Sequence, residues 1–259
     1  MKRSKNVRRL RVFFAFILLI VGIYCFAFAK QIRCECVSFS SLAKVDELVY
    51  LDPKMTIEER RSVLLMVGAA KQRLEAFMGP IQSAPKIIAG LDESVIGRFG
   101  QSGSKTAVTH LHFGRAAIVL GPDGINVDVI AHEMLHAELC KRIGWLNREL
   151  RLPVWFDEGL AMQVDYRDSY SEAAWQQKSE EGRLAPKMET ITSRSKFFDE
   201  RTWWMNYASS KHEVARWLTV VGHDGLEKLI DSLSKGERFA SHYRSLESAK
   251  SLGGANEGK

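Results

Sequence analysis

The stretch 129-VIAHEMLHAEL-139 decides how the rest of the chain is read. His132 and His136 stand four residues apart, with Glu133 beside the first. On an α-helix, four residues turn the chain through about 400°, so the two imidazoles lie about 40° apart and about 6 Å along the axis. Side chains so placed can close on one metal ion. Glu133 lies one residue further round, near enough to reach a water on that ion without coordinating it. Val129, Ile130, Met134, Leu135 and Leu139 supply the core contacts of such a helix, and Gly144 marks its end. The pattern is H-E-x-x-H. Two histidines packed in a core would show the same interval, so a third ligand has to separate the alternatives.

Downstream lies 153-PVWFDEGLA-161. Pro153 suits the first turn of a helix, and Glu158, 22 residues beyond His136, would project from it. Two histidines and one carboxylate leave a fourth position open, as in a catalytic rather than a structural zinc site. Upstream, PKIIAG (85–90), TAVTHLHF (106–113) and RAAIVLG (115–121) are short, rich in β-branched residues and separated by glycines, which predicts three strands. His110 and His112 alternate along the second and are expected on a solvated strand face. Thr56 caps a helix with Glu58 and Glu59 in its first turn and Gly79-Pro80 as its stop. After the turn Gly121–Gly124, helices are expected over 127–143, 153–165, 171–181, 206–220, 224–234 and 237–248. Trp203 and Trp204 read as core or membrane-facing surface. A small sheet followed by helices indicates an α+β architecture.

H-E-M-L-H followed at this distance by W-F-D-E-G-L-A resembles the gluzincin metallopeptidases, and most closely the compact bacterial "peptidase MA-like" domains with their W-x-x-E-G-x-A sequence. The resemblance covers about Lys86 to Gly236. It implies a zincin-like fold in which a small mixed sheet precedes the active-site helix and a mainly helical part follows. It also implies Zn2+ held by His132, His136 and Glu158, with Glu133 as general base acting on a peptide or protein substrate. RAAIVLG would be the edge strand that binds substrate backbone. The segment NYASSKHEVARWL resembles the helix on which small members carry a tyrosine that stabilises the oxyanion. Tyr207 is therefore the candidate, with His212 and His223 behind it; a partly buried aromatic would look the same in sequence. Asp157, where many relatives have Asn, would orient a ligand histidine, or else is an exposed acid of the helix's first turn. No G-x-M-E-N stretch precedes the zinc helix, so an endopeptidase is expected rather than an aminopeptidase. A non-catalytic zinc-binding or partner-binding module on the membrane surface is the alternative.

The net charge of +6 carries no nucleic-acid signature, because residues 1–33 hold eight basic side chains and no acidic one. The remainder has 29 basic against 31 acidic residues, so no basic footprint is left in the body. Val12 to Ala29 is an uncharged run of 18 residues behind six Lys or Arg. Such a run reads as a transmembrane anchor with a basic cytoplasmic tail (1–11) and an extracytoplasmic, periplasmic body. Alternatively it is a signal sequence cut after Ala29 in Ala27-Phe28-Ala29, which would give a secreted product. The expected order is then a juxtamembrane connector (30–54), a peptidase domain (55–248) and a disordered tail (249–259). Cys34, Cys36 and Cys140 leave the pairing open, and nothing here distinguishes monomer from dimer.

Overall fold

The computed structural model describes residues 2–100, 106–112 and 114–254, and side chains over 12–100, 106–111 and 114–249. Helix α1 (Lys2–Ala27) is followed after one residue by α2 (Ala29–Glu35), bent from it by 80°. No single helix among the described residues is long and apolar enough to cross a membrane, while this bent pair passes on length and composition. Next come β1 (Ala43–Lys44), β2 (Val49–Leu51), α3 (Ile57–Met78), β3 (Lys86–Ala89), α4 (Glu93–Gly97), β4 (Ala107–His112) and β5 (Arg115–Leu120). The rest is helical: α5 (Val127–Ile143), α6 (Trp145–Arg151), α7 (Val154–Ala161), α8 (Glu172–Ser179), α9 (Arg194–Phe197), α10 (Trp203–Ser234) and α11 (Phe239–Gly254). The protein is mixed α and β, a small sheet followed by a mostly helical remainder.

The five strands run in the order β1-β2-β3-β5-β4, with β2, β3 and β5 parallel and both edge strands antiparallel to their neighbours. RAAIVLG (β5) is thus an inner strand, not the expected edge. The edge beside α5 is β4, because the glycine turn after His112 folds the two strands into a hairpin. The sheet is covered on both faces, which explains its nearly continuous apolar strands. Val49, Leu51, Ile87, Ala89, Ile118 and Leu120 face α3 and α5. Tyr50, Ile88, Ala117 and Val119 face the other way, against Cys34 and Val37 after α1 and Ile96 and Phe99 around α4.

Residues 30–54, expected as a connector, therefore belong to the folded body. Their strands are two and three residues long, too short to show a period of two. The expected break in the long C-terminal helix is a kink at Gly222 (φ 69°, ψ −177°) within α10. The last helix runs to Gly254 rather than stopping at 248, since Ala249 and Lys250 are good helix formers and the first breaker is Gly253. Residues 255–259 of the expected tail lie outside the described residues. All four cysteines are free, and burial pushes the Cys34 thiol up to about 12.

Helix α3 starts as its sequence predicts, with Thr56 and Glu59 forming a reciprocal cap. Helix α5 is fastened along its length. Arg73 of α3 donates to Asp128 at 2.5 Å and to the carbonyl of Val164 at 2.9 Å. Glu138, fully buried, accepts from the backbone N–H groups of Gln82 and Ser83 and from Arg142 at 2.6 Å. Arg142 in turn donates to the carbonyls of Met78 and Pro80.

Candidate metal centre

Helix α5 carries His132 and His136 on one face, and α7 brings Glu158 against them. Pro153 opens α7, and Gly159 lets it approach α10 closely: a Cβ there would meet the Ser210 carbonyl oxygen at 2.5 Å. His132 Nε2 and His136 Nε2 lie 3.2 Å apart, and Glu158 Oε2 lies 3.3 Å from the first and 3.4 Å from the second. All three residues are buried, and their donor atoms fall within 4.8 Å of one another. Glu158 Oε2 has no hydrogen-bond partner, although buried polar atoms as a rule are paired. Two imidazole nitrogens and a carboxylate oxygen form a set able to bind a metal ion.

The charges around the triad are ordered. Asp157, a residue earlier on α7, is buried rather than an exposed first-turn acid, and its Oδ1 lies 3.0 Å from His136 Nδ1. Arg148 of α6 donates to the other oxygen of Asp157. It also lies 3.3 Å from His136 Nδ1, but the closer, anionic Asp157 is the partner that accepts the Nδ1–H hydrogen bond, which leaves Nε2 facing Glu158. Burial opposes ionisation of both carboxylates. Arg148 and His136 beside Asp157, and His136 and His132 beside Glu158, outweigh it and hold both carboxyls below their usual range. His136 shows the counterpart: burial lowers its pKa, but Glu158 and Asp157 drive it up to about 10. The cage demands positive charge, which a proton or a metal ion can supply. On the other histidine, Nδ1 is also without a hydrogen bond, with Asp165 Oδ2 at 3.8 Å. Asp165 is fully buried and held by Arg167.

Glu133 points from α5 to β4, where the Thr109 hydroxyl donates to its Oε2 at 2.5 Å. Tyr207, on α10, closes the opposite side, its ring centroid 6.2 Å from that of His132. Burial, then the charges of Glu158 and Glu133, push its phenol well above 10, so it stays protonated and able to donate. Two cavities meet along His132, Glu133, Tyr207 and Ala107. One, about 240 Å³, runs past Leu111, Arg194 and Phe198; the other, about 280 Å³, past Val129, Tyr170 and Trp203. Larger cavities open near Cys140 (about 340 Å³) and near Trp155 (about 490 Å³), but neither contains the triad. Chemistry, not size, picks the site.

His132, Glu133, His136, Asp157, Glu158 and Tyr207 thus come together. His212 and His223 do not. His212 is five residues past Tyr207, about 140° round the helix, where it stacks on Trp175 and meets Glu172 at 2.9 Å. His223 lies beyond the kink, 3.9 Å from Glu227. Nor is His110 on a solvated face: it is buried, its ring 2.7 Å from the carbonyl of Phe99, and burial lowers its pKa. The side chain of His112 lies outside the described residues. Trp203 is half-exposed at the cleft, while Trp204 stacks on Tyr170. Sequence reasoning missed Arg148, Asp165 and Thr109. Only Thr109 left a trace, since a strand that turns His110 to one face turns Thr109 to the other.

No protein-family model, no curated protein and no solved structure matches this chain.

Proposed function

We propose that the chain is an exported, membrane-anchored zinc metallopeptidase of zincin-like fold, in which His132, His136 and Glu158 hold the ion. What supports this is one convergence: a buried triad of nitrogen and carboxylate ligands, with an unpaired oxygen among them, in a cleft that also contains an acid that does not ligate. The donor set suits zinc, and a structural zinc site would have used a fourth protein ligand. A bound zinc supplies Lewis acidity at the scissile carbonyl and a more acidic water.

The protein's own groups do the rest. Glu133 takes the proton of the attacking water and returns one to the leaving amine. The Thr109 hydroxyl fixes one oxygen of Glu133 and leaves the other to face the cleft. The Tyr207 hydroxyl, kept protonated by burial, donates to the oxyanion. Asp157 fixes the ring of His136 from behind, as carboxylates commonly do for ligand histidines. The edge strand β4 offers backbone groups to an extended peptide, and the lack of a G-x-M-E-N stretch before the zinc helix favours an endopeptidase. The apolar run 12–29 would hold the body on the outer face of a membrane.

Glu133→Gln in the full-length protein tests this reading. Hydrolysis of casein or a peptide library should fall by about a hundredfold or more, while metal analysis still finds one ion per chain. If wild type and variant bind metal and are equally inert on all substrates, the non-catalytic module is the better account.

A further inference from the structure

The two cavities that meet at the reacting groups differ in what lines them. Both lie against the edge strand β4. One reaches past Leu111 to Arg194 of α9 and to Phe198, the other starts at Ala107 and reaches Tyr170 and Trp203. His132, Glu133 and Tyr207 line both. An extended chain laid along β4 with its scissile bond at those groups therefore sends side chains from the two sides of the bond into two different chambers.

Three arginines line the pair of cavities, and two of them are committed elsewhere. Arg148, 4% exposed, is tied to buried Asp157. Arg167 donates from Nε and Nη2 to buried Asp165, and its guanidinium lies over the Tyr170 ring at 5.2 Å. Arg194 differs. Its side chain is 64% exposed, and no hydrogen bond among the described residues holds its guanidinium. Its ion pair with Glu149 Oε1 is long, 3.7 Å, and the same oxygen lies closer to Arg148, at 3.2 Å. A guanidinium offers a planar fork of donors that fits a carboxylate, and this one has its donors to spare. The other anions of its chamber, Glu133 and Glu158, stand at the reacting end. In the second chamber Arg167 is already satisfied, and the remaining walls are aromatic and apolar: Trp203, Tyr170, Val129 and Ala107.

Resting on the peptidase reading, we infer that the substrate is a polypeptide segment with an Asp or Glu side chain on one side of the cut bond and an apolar or aromatic side chain on the other. Arg194 receives the acid, and Trp203 with Tyr170 receives the apolar group. The cleft thereby selects by charge at one end and by hydrophobicity at the other, which a symmetric groove cannot do.

The test uses the full-length protein with zinc and a peptide library acetylated and amidated at its ends, so that no chain terminus can stand in for a side chain. The same library unblocked runs beside it. Mass spectra aligned on the cut bond should show Asp and Glu enriched on one side, and Phe, Tyr, Trp and Leu on the other. A matched set is then made from the best peptide, with Glu, Gln or Lys at the acidic position. The kcat/KM for Glu should exceed that for Gln by about tenfold, the lower end for a charge-assisted bond because Arg194 is partly solvated. Arg194→Glu should invert the order, so that Lys is preferred to Glu, with metal content unchanged. Arg194→Lys should retain the preference for Glu in weaker form. Binding gives a second reading: on Glu133→Gln, the Kd of the same peptides by fluorescence anisotropy should follow the same order. Cutting without an acidic preference, or with one that Arg194→Glu leaves in place, overturns the inference while the peptidase stands. Cutting confined to the unblocked library does the same. No cutting of any peptide overturns the peptidase reading and the inference with it.

Discussion

Substituting Asp157 by Asn keeps a hydrogen-bond acceptor opposite His136 Nδ1 but removes the charge that faces Arg148. Two effects should follow. Metal affinity should weaken by about ten- to a hundredfold, the usual result of losing such a partner; competition with a chromogenic chelator measures it. Stability should fall by about 1–3 kcal/mol, because the Arg148 guanidinium, only 4% exposed, loses its buried counter-charge and keeps only the partly exposed Glu149 at 3.2 Å; urea unfolding measures that. The histidine pair was legible because a helix places residues four apart on one face whatever surrounds it, and Glu158 was reached only through the second motif. Arg148 and Asp165 were not legible, since each reaches the histidines through space: Arg148 from between two expected helices, and Asp165 from beyond the last turn of α7, which ends four residues before the expected 165. Arg148 sits in a stretch that reads as a mere connection between two helices.

At the level of elements, the position of Glu158 depends on how closely α7 and α10 approach. Gly159→Ala would place its Cβ 2.5 Å from the Ser210 carbonyl oxygen and 2.8 Å from a methyl of Val214. The helices must part, at a cost of about 1–3 kcal/mol, and Glu158 must swing away from the imidazoles. We expect a lowered melting temperature together with weaker metal binding, although no ligand has changed; the two are read by thermal denaturation and chelator competition. The length of α5 follows from its pattern, because an apolar stripe and a glycine stop agree, and the structure adds a cap in which the Asn126 side chain accepts from the Val129 N–H. Strand order does not follow. The pattern of β5 is that of any buried strand, and only the pairing of β4 with it shows which of the two is the edge. The pair β1 and β2 is held by neighbours distant in sequence rather than by its own few residues.

Over the whole molecule, loading of the site should appear as stability. Zinc at about a thousand times its Kd adds about 4 kcal/mol to the folded state, so chelation should lower the melting temperature of the wild type. In His132→Ala, whose cage is incomplete, chelation should change little. Acid should act through the seam between α10 and α11. Burial raises the pKa of Glu213 there, but hydrogen bonds from Arg216 at 2.7 Å and Tyr243 at 2.6 Å outweigh it, and the net shift is downward. A carboxyl held below its unfolded value stabilises the fold above that value, and the contribution fades as pH falls toward the folded one. Glu213→Gln should therefore be less stable than wild type at neutral pH, with the difference shrinking below about pH 4.5; denaturant titrations across pH would show it. One further property follows from the fastening of α5 through Asp128, Glu138 and Arg142. A helix pinned to α3 and to the chain entering β3 has no route for sliding along its axis, so its two imidazoles keep their spacing when the ion departs. Exchange of one metal for another should then be a single fast event at a ready-made cradle, without the slow refolding phase of a domain that organises itself around its ion.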